Sequence, residues 1–241
     1  MNRKPFVSVV IPAFNEEKYI ENCLFSLLKS EQKTDINYEV VLVDNNSSDR
    51  TVQLAEKFKN GMNLRIIHEK KQGRGAARAR GFADAKGKMI LSADADTIFY
   101  RGWIETLASA IKGDVIAITT SCRVADLSKL SNKILNFCQP AAMILYRILI
   151  GHYWLSGFSF GILRSVYIKS GGFNPSLQSM EDVDLSFRVA KLGKIKFINK
   201  PVTFSGRRFR KGLLIGLFEY IYLFIKALVL KNKNVYQDNP R

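Results

Sequence analysis

Two carboxylates in this sequence lie at a spacing and position that suit a metal ion. Asp94 and Asp96, separated by Ala95, come directly after the apolar run Met89–Ser92. Two acids this close are costly together unless a cation lies beside them. Mg²⁺ and Mn²⁺ prefer such hard oxygen ligands, and a diphosphate can complete the coordination shell. A polar turn would also accommodate Asp-Ala-Asp, so its position at a strand end, rather than the motif itself, indicates a metal site.

Polar side chains follow two other apolar runs. Asp44 ends the run that begins at Glu39, where a carboxylate can accept hydrogen bonds from a ribose hydroxyl or a base N–H. Helix capping accounts for Ser47–Asp49 but not for Asp44. Pro12–Glu16 follow the first run, and a strand-to-helix turn with Asn15 as the N-cap explains them without any ligand.

A basic, glycine-containing segment, Lys70–Gly81, is a third candidate for binding. It matches neither the dinucleotide fingerprint nor the phosphate-binding P-loop, because its glycines are wrongly spaced and Gly-Lys-Ser/Thr is missing. Gly73 and Gly75 still allow close approach of a ligand to the backbone, and Arg78 could reach a phosphate or a base. A solvated basic loop that leads into a helix is the alternative.

Short apolar runs precede these polar groups and predict buried parallel strands: Val7–Ile11, Glu39–Val43, Leu64–His68 and Met89–Ser92. Segments of helical spacing alternate with them, so we expect an α/β fold with a doubly wound, mostly parallel sheet flanked by helices. Ligands of such sheets bind at the carboxyl ends of the strands, where the polar groups occur.

The second half is less regular. It predicts two strands and two helices, with a strongly apolar run that Gln139-Pro140 interrupts: Gly102–Ile111, Val115–Thr119, Ile134–Ile150, Val183–Leu192 and Ile195–Ile198. The simplest division is one domain of two halves, residues 1–98 and 99–210, with an amphipathic segment at 211–241.

Charge and cysteine content narrow the classes of function. The net charge is +16, and the excess basic residues concentrate in Lys57–Lys88 and Lys191–Arg241. Such fields attract the phosphates of nucleic acid, anionic lipid or a small molecule. Three scattered cysteines argue against a disulfide framework, and with two histidines they make a zinc site unlikely. No signal peptide is expected ahead of the first strand, which favours a reducing, cytoplasmic setting.

Five segments together resemble the family 2 nucleotide-sugar glycosyltransferases, which have the GT-A fold and invert the anomeric centre. The matching segments follow the family's order: Val7–Glu17, Val41–Thr51, Gly75–Gly81, Ser92–Asp96, and Gly171–Pro175 with Met180–Ala190. Each motif is weak alone, but their common order from residue 6 to about residue 205 makes one strong signal.

The resemblance implies that residues 1–98 bind the nucleotide sugar and residues 99–210 the acceptor, and it assigns a role in binding or catalysis to each matching position. Asp182 would be the catalytic base with Glu181 beside it, and Asp96 would bind a divalent cation, Mn²⁺ or Mg²⁺, together with Asp94. The nucleotide sugar would contact these positions: Pro12, Ala13, Phe14, Glu16, Asp44, Asn45, Gly75, Arg78, Asp94, Ala95, Asp96, Arg207 and Arg208.

The sequence departs from the family pattern after the acceptor helix. Many relatives carry a histidine there, whereas Pro201–Lys211 has none. Arg207 and Arg208 could neutralise the diphosphate instead, because arginine suits bidentate phosphate contacts. The alternative is that these arginines form a basic flank that contacts a membrane.

The apolar segment Leu213–Leu230 would be about 27 Å long as a helix, slightly short of a bilayer core. Glu219, Tyr222 and Lys226 give it one narrow polar stripe. A helix lying in the membrane surface or an interface between subunits of a homodimer fits this pattern, and burial on the domain itself is the alternative.

These observations predict an inverting, metal-dependent glycosyltransferase that uses a UDP- or GDP-sugar. We expect an acceptor glycan or polyprenyl lipid, and a cytoplasmic location at the inner, anionic face of the membrane, where Ile134–Ile150 helps present the acceptor. An ionised polyprenyl phosphate would not need Asp182 as a base. No nucleic acid partner is expected.

Two other classes stay open. A non-catalytic basic protein that binds nucleic acid or anionic membranes explains the charge but not the acids at strand ends. A sugar nucleotidyltransferase has a similar sheet but usually carries a basic, glycine-rich loop after its first strand, and Pro12–Glu17 contain no glycine or arginine.

Overall fold

The computed structural model describes residues 6–32, 34–209 and 218. Seven strands form one sheet there: β1 (Val7–Ala13), β2 (Tyr38–Asp44), β3 (Leu64–His68), β4 (Met89–Ala93), β5 (Val115–Val124), β6 (Ser159–Leu163) and β7 (Lys194–Phe204). Their order is β3-β2-β1-β4-β6-β5-β7. β6 is antiparallel to β4 and β5, and every other pairing is parallel.

Helices cover both faces of this sheet: α1 (Ile20–Ser30), α2 (Thr51–Glu56), α3 (Arg74–Asp84), α4 (Trp103–Ala110), α5 (Lys129–Ile150), α6 (Arg164–Lys169) and α7 (Glu181–Ala190). A short 3₁₀ helix, Gly206–Phe209, follows β7. The expected α/β architecture, a mostly parallel sheet between layers of helices, is confirmed.

Alternate residues of the central strands pack on opposite faces, as strand geometry requires. Val9 and Ile11 contact the hydrophobic cluster around α1 and α4, whereas Val10 contacts the cluster around α3 and α7. All three side chains are fully buried. Burial on both faces explains why β1, β2 and β4 are nearly continuous apolar runs in the sequence.

The prediction that Asn15 caps the first helix is wrong. α1 begins at Ile20, and Asn15 has a positive φ of 54°, a conformation that asparagine tolerates. Its Oδ1 accepts a hydrogen bond from the backbone N–H of Ser48 at 2.8 Å. The extra residues before α1 form a turn that joins the loop after β1 to the loop after β2.

The second half has one strand and one helix, β6 and α6, that the sequence analysis did not predict. The apolar run Ile134–Ile150 lies in α5, which continues unbroken from Lys129 to Ile150 with Pro140 inside it. Ser128 caps α5, its Oγ accepting a hydrogen bond from the Ser131 N–H at 3.1 Å. The predicted helix Leu213–Leu230 lies outside the described residues.

Candidate active site

A cavity of about 690 Å³ opens at the carboxyl ends of β1, β2 and β4, where a parallel sheet binds its ligands. We call it the rim cavity. Among the residues that line it are most of the predicted nucleotide-sugar positions: Pro12, Ala13, Phe14, Glu16, Asn45, Arg78, Asp94, Ala95, Asp96 and Arg207. The topology therefore brings the loops after β1, β2, β4 and β7 to one place.

Arg207, in the 3₁₀ helix after β7, connects two of these loops. Its two terminal nitrogens donate to the Glu16 carboxylate at 2.6 and 2.7 Å. The same Nη2 lies 3.3 Å from Oδ2 of Asp96, and the guanidinium carbon lies 4.9 Å from the centre of the Tyr19 ring. Burial opposes the charge of Arg207, but the bonds to Glu16 and the charge of Asp96 raise its pKa above the usual value.

Asp96 lies in an environment that favours a bound cation. Burial, followed by the neighbouring charge of Asp94, raises the pKa of Asp96 to about 7, and Arg207 only partly offsets this. A nearby positive charge would restore the carboxylate form.

These carboxylates fit a divalent cation that takes its remaining ligands from a substrate. Mg²⁺ is commonly held by one or two carboxylates together with substrate phosphates and water. Within the described ranges, no cluster of three or more His, Cys, Asp or Glu side chains is placed to hold a metal. Asp96 would be the main protein ligand, because Arg78 already contacts the Asp94 carboxylate.

Arg78, in α3, links the strand-end acids to α7. Its Nη2 donates to Oδ1 of Asp94 at 2.5 Å, and its Nη1 donates to Oε1 of Glu181. Arg78 and Glu181 are both almost completely buried. The two carboxylates therefore compensate the charge of this guanidinium, which holds the loop after β4 against the start of α7.

Asp182, the predicted base, lies beside the cavity wall and is not one of its lining residues. Its carboxylate accepts hydrogen bonds from the N–H groups of Gly157, at 3.0 Å, and Val183, at 2.8 Å. Gly157 lies between Ser156 and Phe158, which do line the cavity. Burial and the adjacent Glu181 raise the pKa of Asp182 to about 6, against the opposing effect of Arg78.

Asp44, Glu181 and Gly75 also lie outside the cavity lining. Asp44 is buried, accepts from the Ser47 N–H at 3.2 Å and lies 3.1 Å from Nδ1 of His68. A Cβ on Gly75 would lie 2.4 Å from the Leu177 carbonyl oxygen, so this glycine permits close packing of α3 against the backbone at Leu177.

Asn45 organises the basic loop that precedes α3. Its side chain donates to the carbonyl oxygens of Glu69 and Lys71 at 2.8 Å, and its Oδ1 accepts from the Gly73 N–H at 2.8 Å. Gln72, Gly73 and Arg74 consequently reach the cavity. Gly73 was expected to allow close approach of a ligand, whereas Gln72 and Arg74 had no individual assignment. The side chain of Arg208 lies outside the part of the chain that the structure describes.

The remaining wall is largely apolar. The segments 154–160 and 174–181 contribute Trp154, Ser156, Phe158 and Gln178. The other lining residues come from β5, from α5 and from the end of β7: Cys122, Val124, Leu135, Asn136, Cys138, Gln139, Ala142, Met143, Leu145, Tyr146, Leu149, Ile150, Phe204, Ser205 and Phe209. The apolar run of α5 was visible in the sequence, but not which of its residues would face the site.

Comparison with known families gives one match over most of the chain. The model of the family described as glycosyl transferase family 2 matches residues 8–171. Among curated proteins, the glycosyltransferase AglE of Haloferax volcanii is 38% identical over 111 residues, covering 45% of this chain and 36% of AglE. Hyaluronan synthase of Pasteurella multocida is 28% identical over 204 residues, covering 83% of this chain and 20% of the synthase. The chain thus spans about a third or less of these two relatives.

Solved structures share the fold. TarS 1–349 of Staphylococcus aureus, in complex with UDP-GlcNAc, aligns with a TM-score of 0.64 at 22% identity, covering 83% of this chain and 58% of that one. The mannosyltransferase PcManGT of Pyrobaculum calidifontis, in complex with GDP-Man and Mn²⁺, aligns with a TM-score of 0.63 at 19% identity, covering 92% and 65%.

Proposed function

This chain belongs to glycosyl transferase family 2, and we propose from that membership that it transfers a sugar from a nucleoside diphosphate to an acceptor with inversion at the anomeric carbon. The observation that carries the proposal is the meeting of Glu16, Asp96 and Arg207 at the edge of the rim cavity. Acids and an arginine at this edge suit a sugar donor whose leaving group is a nucleoside diphosphate.

In this proposal the nucleoside of a UDP- or GDP-sugar occupies the part of the rim cavity near Pro12, Phe14 and Asn45. Arg207 binds the diphosphate, since a guanidinium makes bidentate contacts with phosphate oxygens. To do so it exchanges its contact with Asp96 for the phosphates, and this frees the carboxylate. The structures of TarS with UDP-GlcNAc and of PcManGT with GDP-Man support a nucleotide-sugar donor.

Asp96, with Asp94 nearby, would hold a divalent cation such as Mn²⁺ or Mg²⁺. When bound, the cation would offset the negative charge that develops on the departing diphosphate. The Mn²⁺ in the PcManGT structure supports this part of the proposal. Arg78 holds the Asp94 carboxylate at a fixed position beside Asp96.

Asp182 would accept the proton of an acceptor hydroxyl. Two backbone N–H groups, of Gly157 and Val183, fix its carboxylate, and a pKa of about 6 lets it be ionised yet basic near neutral pH. Glu181 is engaged by Arg78 and would position this end of α7. With a phosphate acceptor, which is already ionised, Asp182 would orient the acceptor rather than deprotonate it.

Sugar-nucleotide turnover tests the proposal. The wild-type protein should release UDP or GDP from its sugar nucleotide when Mn²⁺ is present. Asp96→Asn should lower that rate by more than about 100-fold. Asp114→Asn is the matched control, because its side chain is 75% exposed and remote from the cavity lining. A folded Asp96→Asn protein that keeps the wild-type rate would overturn the proposal.

Family membership argues against the two other classes that the sequence left open, a non-catalytic basic protein and a sugar nucleotidyltransferase. The division into halves at residue 98, the homodimer, the inner-membrane location and the lack of a nucleic acid partner stay predictions.

A further inference from the structure

One face of α5 fixes the helix to the sheet. Leu135, Met143 and Tyr146 are buried on this face. The Asn136 side chain accepts from the Val124 N–H at 2.8 Å and donates to the Val124 carbonyl at 3.1 Å. β5 therefore holds this face of α5 against the sheet along several turns.

The opposite face of α5 is apolar and exposed. Its residues recur at helical spacing: Leu130, Ile134, Phe137, Ile144, Leu145, Ile148 and Leu149. Phe137 is 79% exposed and Ile148 is 73% exposed. A contiguous apolar surface of this kind on a folded domain marks a place of contact with a partner or a membrane.

The charged residues of α5 indicate whether its exposed face suits a partner or a membrane. The helix contains Lys129, Lys133 and Arg147 and no acidic residue. With 3.6 residues per turn these three side chains lie along one edge of the exposed apolar face. An apolar face bordered by basic residues is typical of helices that lie in the surface of an anionic membrane.

Among the described residues, α5 is the one helix that is long and apolar enough to cross a membrane by length and composition. A crossing helix would have to leave β5 and expose the polar side chains that now bond to it, Asn136 and Gln139. Lying in the plane of the membrane surface keeps those contacts and buries only the exposed face.

The exposed face of α5 continues into the rim cavity. Cys138, Ala142, Leu145 and Leu149 belong to the apolar side of the helix and also line the cavity. Asp96 and Arg207 line the same cavity. An apolar path therefore leads from the outer face of α5 to the charged end where sugar transfer would occur.

We propose that α5 docks into the surface of an anionic membrane and that the rim cavity receives the hydrocarbon chain of the acceptor, which is a lipid. The identification of the lipid as the acceptor rests on the proposed sugar transfer. The docking surface and the path of the hydrocarbon chain rest on α5 and the cavity alone. An acceptor chain that enters from the membrane beside α5 would place its head group near Asp96 and Arg207.

Fluorescence from Cys138 tests the docking. Cys138 is the exposed cysteine of the three, so a polarity-sensitive thiol reagent can label it in the folded protein. Vesicles of phosphatidylcholine with phosphatidylglycerol should shift its emission to shorter wavelength, and phosphatidylcholine alone should do so much less. An unchanged emission with both vesicles would overturn the docking.

A variant pair separates α5 from other apolar or basic parts of the chain, including residues 210–241. The double change Phe137→Asp and Ile148→Asp should weaken sedimentation with anionic vesicles by at least about 10-fold, since it puts two charges on the docking face. Phe25→Asp is the control, because Phe25 is an exposed aromatic residue on α1. Equal vesicle binding by both proteins would overturn the proposal, as would a wild-type dimer that the double change dissociates.

Photo-crosslinking tests the path of the chain. Vesicles would contain phosphatidylglycerol with a diazirine at the end of one acyl chain. Labels should appear on Phe158 or Phe204, which line the cavity and stack on each other at 5.7 Å. Labels confined to exposed residues such as Phe137 would contradict uptake of the chain.

Nucleoside-diphosphate binding distinguishes failure of this inference from failure of the proposed function. The double variant should keep the wild-type increase in melting temperature with UDP or GDP and Mn²⁺, because neither substituted side chain lines the cavity. A wild-type protein that docks and takes up lipid but binds no nucleoside diphosphate would instead refute the proposed function.

Discussion

Arg207 and Glu16 form a bidentate ion pair, although 191 positions separate them in the sequence. The pair draws the 3₁₀ helix after β7 onto the loop after β1, and both residues line the rim cavity. Asp96 lies within 3.3 Å of the same guanidinium. Arg207 thus compensates the negative charges of Glu16 and Asp96, which would otherwise repel a diphosphate.

We expect Arg207→Gln to weaken binding of UDP or GDP by about 10- to 100-fold, because a hydrogen bond to a charged group contributes about 1.5–3 kcal/mol. Arg50→Gln is the matched control, since Arg50 is 76% exposed and pairs with Glu17 at the surface. Isothermal titration calorimetry measures both affinities. Equal affinities for the two variants would show that Arg207 has no contact with the diphosphate.

The buried pair between Arg78 and Glu181 should matter for stability more than any exposed pair. Arg78→Met leaves the Glu181 carboxylate buried without its partner, which should lower the free energy of unfolding by about 3–5 kcal/mol. Arg80→Met, on the same helix, removes an exposed pair with Asp84 and should cost less than about 1 kcal/mol. Urea denaturation compares them, and similar losses would contradict this account.

The raised pKa of Asp182 predicts how the rate depends on pH. With a pKa of about 6, the Asp182 carboxyl group is mostly protonated below pH 6 and mostly ionised above it. If the acceptor is a hydroxyl and Mn²⁺ is kept saturating, so that Asp96 stays ionised, kcat/KM should rise about tenfold per pH unit below that value and level off above it. Asp182→Asn should lower kcat by about 10²- to 10⁴-fold. A pH-independent kcat/KM across the acidic range would exclude Asp182 as the base.

Protons and a divalent cation should compete for Asp96. Its pKa of about 7 in the folded protein lies above the usual aspartate value, so the fraction of Asp96 that carries a proton rises as the pH falls through 7. Affinity for Mn²⁺ without nucleotide should therefore increase as the pH rises through about 7, and calorimetry can follow it. Asp96→Asn should abolish this dependence. A Mn²⁺ affinity that does not change with pH would argue against Asp96 as the ligand.

The first half of the fold was predictable because its physics is local. β1, β2 and β4 are buried on both faces, so their apolar runs stand out in the sequence. Parallel strands end at one edge, so the acids that follow β1 and β4 could be expected to meet. That expectation placed Glu16 and Asp96 at one site.

Other features depend on contacts that no local pattern encodes. Nothing near Arg207 indicates Glu16 as its partner, and nothing near Arg78 indicates Glu181. The antiparallel strand β6 is short, and no pattern in the sequence predicted it. Pro140 suggests a break, but the packing of α5 on β5 holds the helix together across it.

The proposed site places Asp96, Glu16 and Arg207 around a diphosphate and its cation. Anomalous X-ray diffraction from crystals soaked with Mn²⁺ and a nucleoside diphosphate, UDP or GDP, tests it most directly. The account predicts an anomalous Mn²⁺ peak bonded to both Asp96 and the diphosphate, with Arg207 in contact with the phosphates. Nucleotide bound outside the rim cavity, or Mn²⁺ bound away from Asp96, would contradict it.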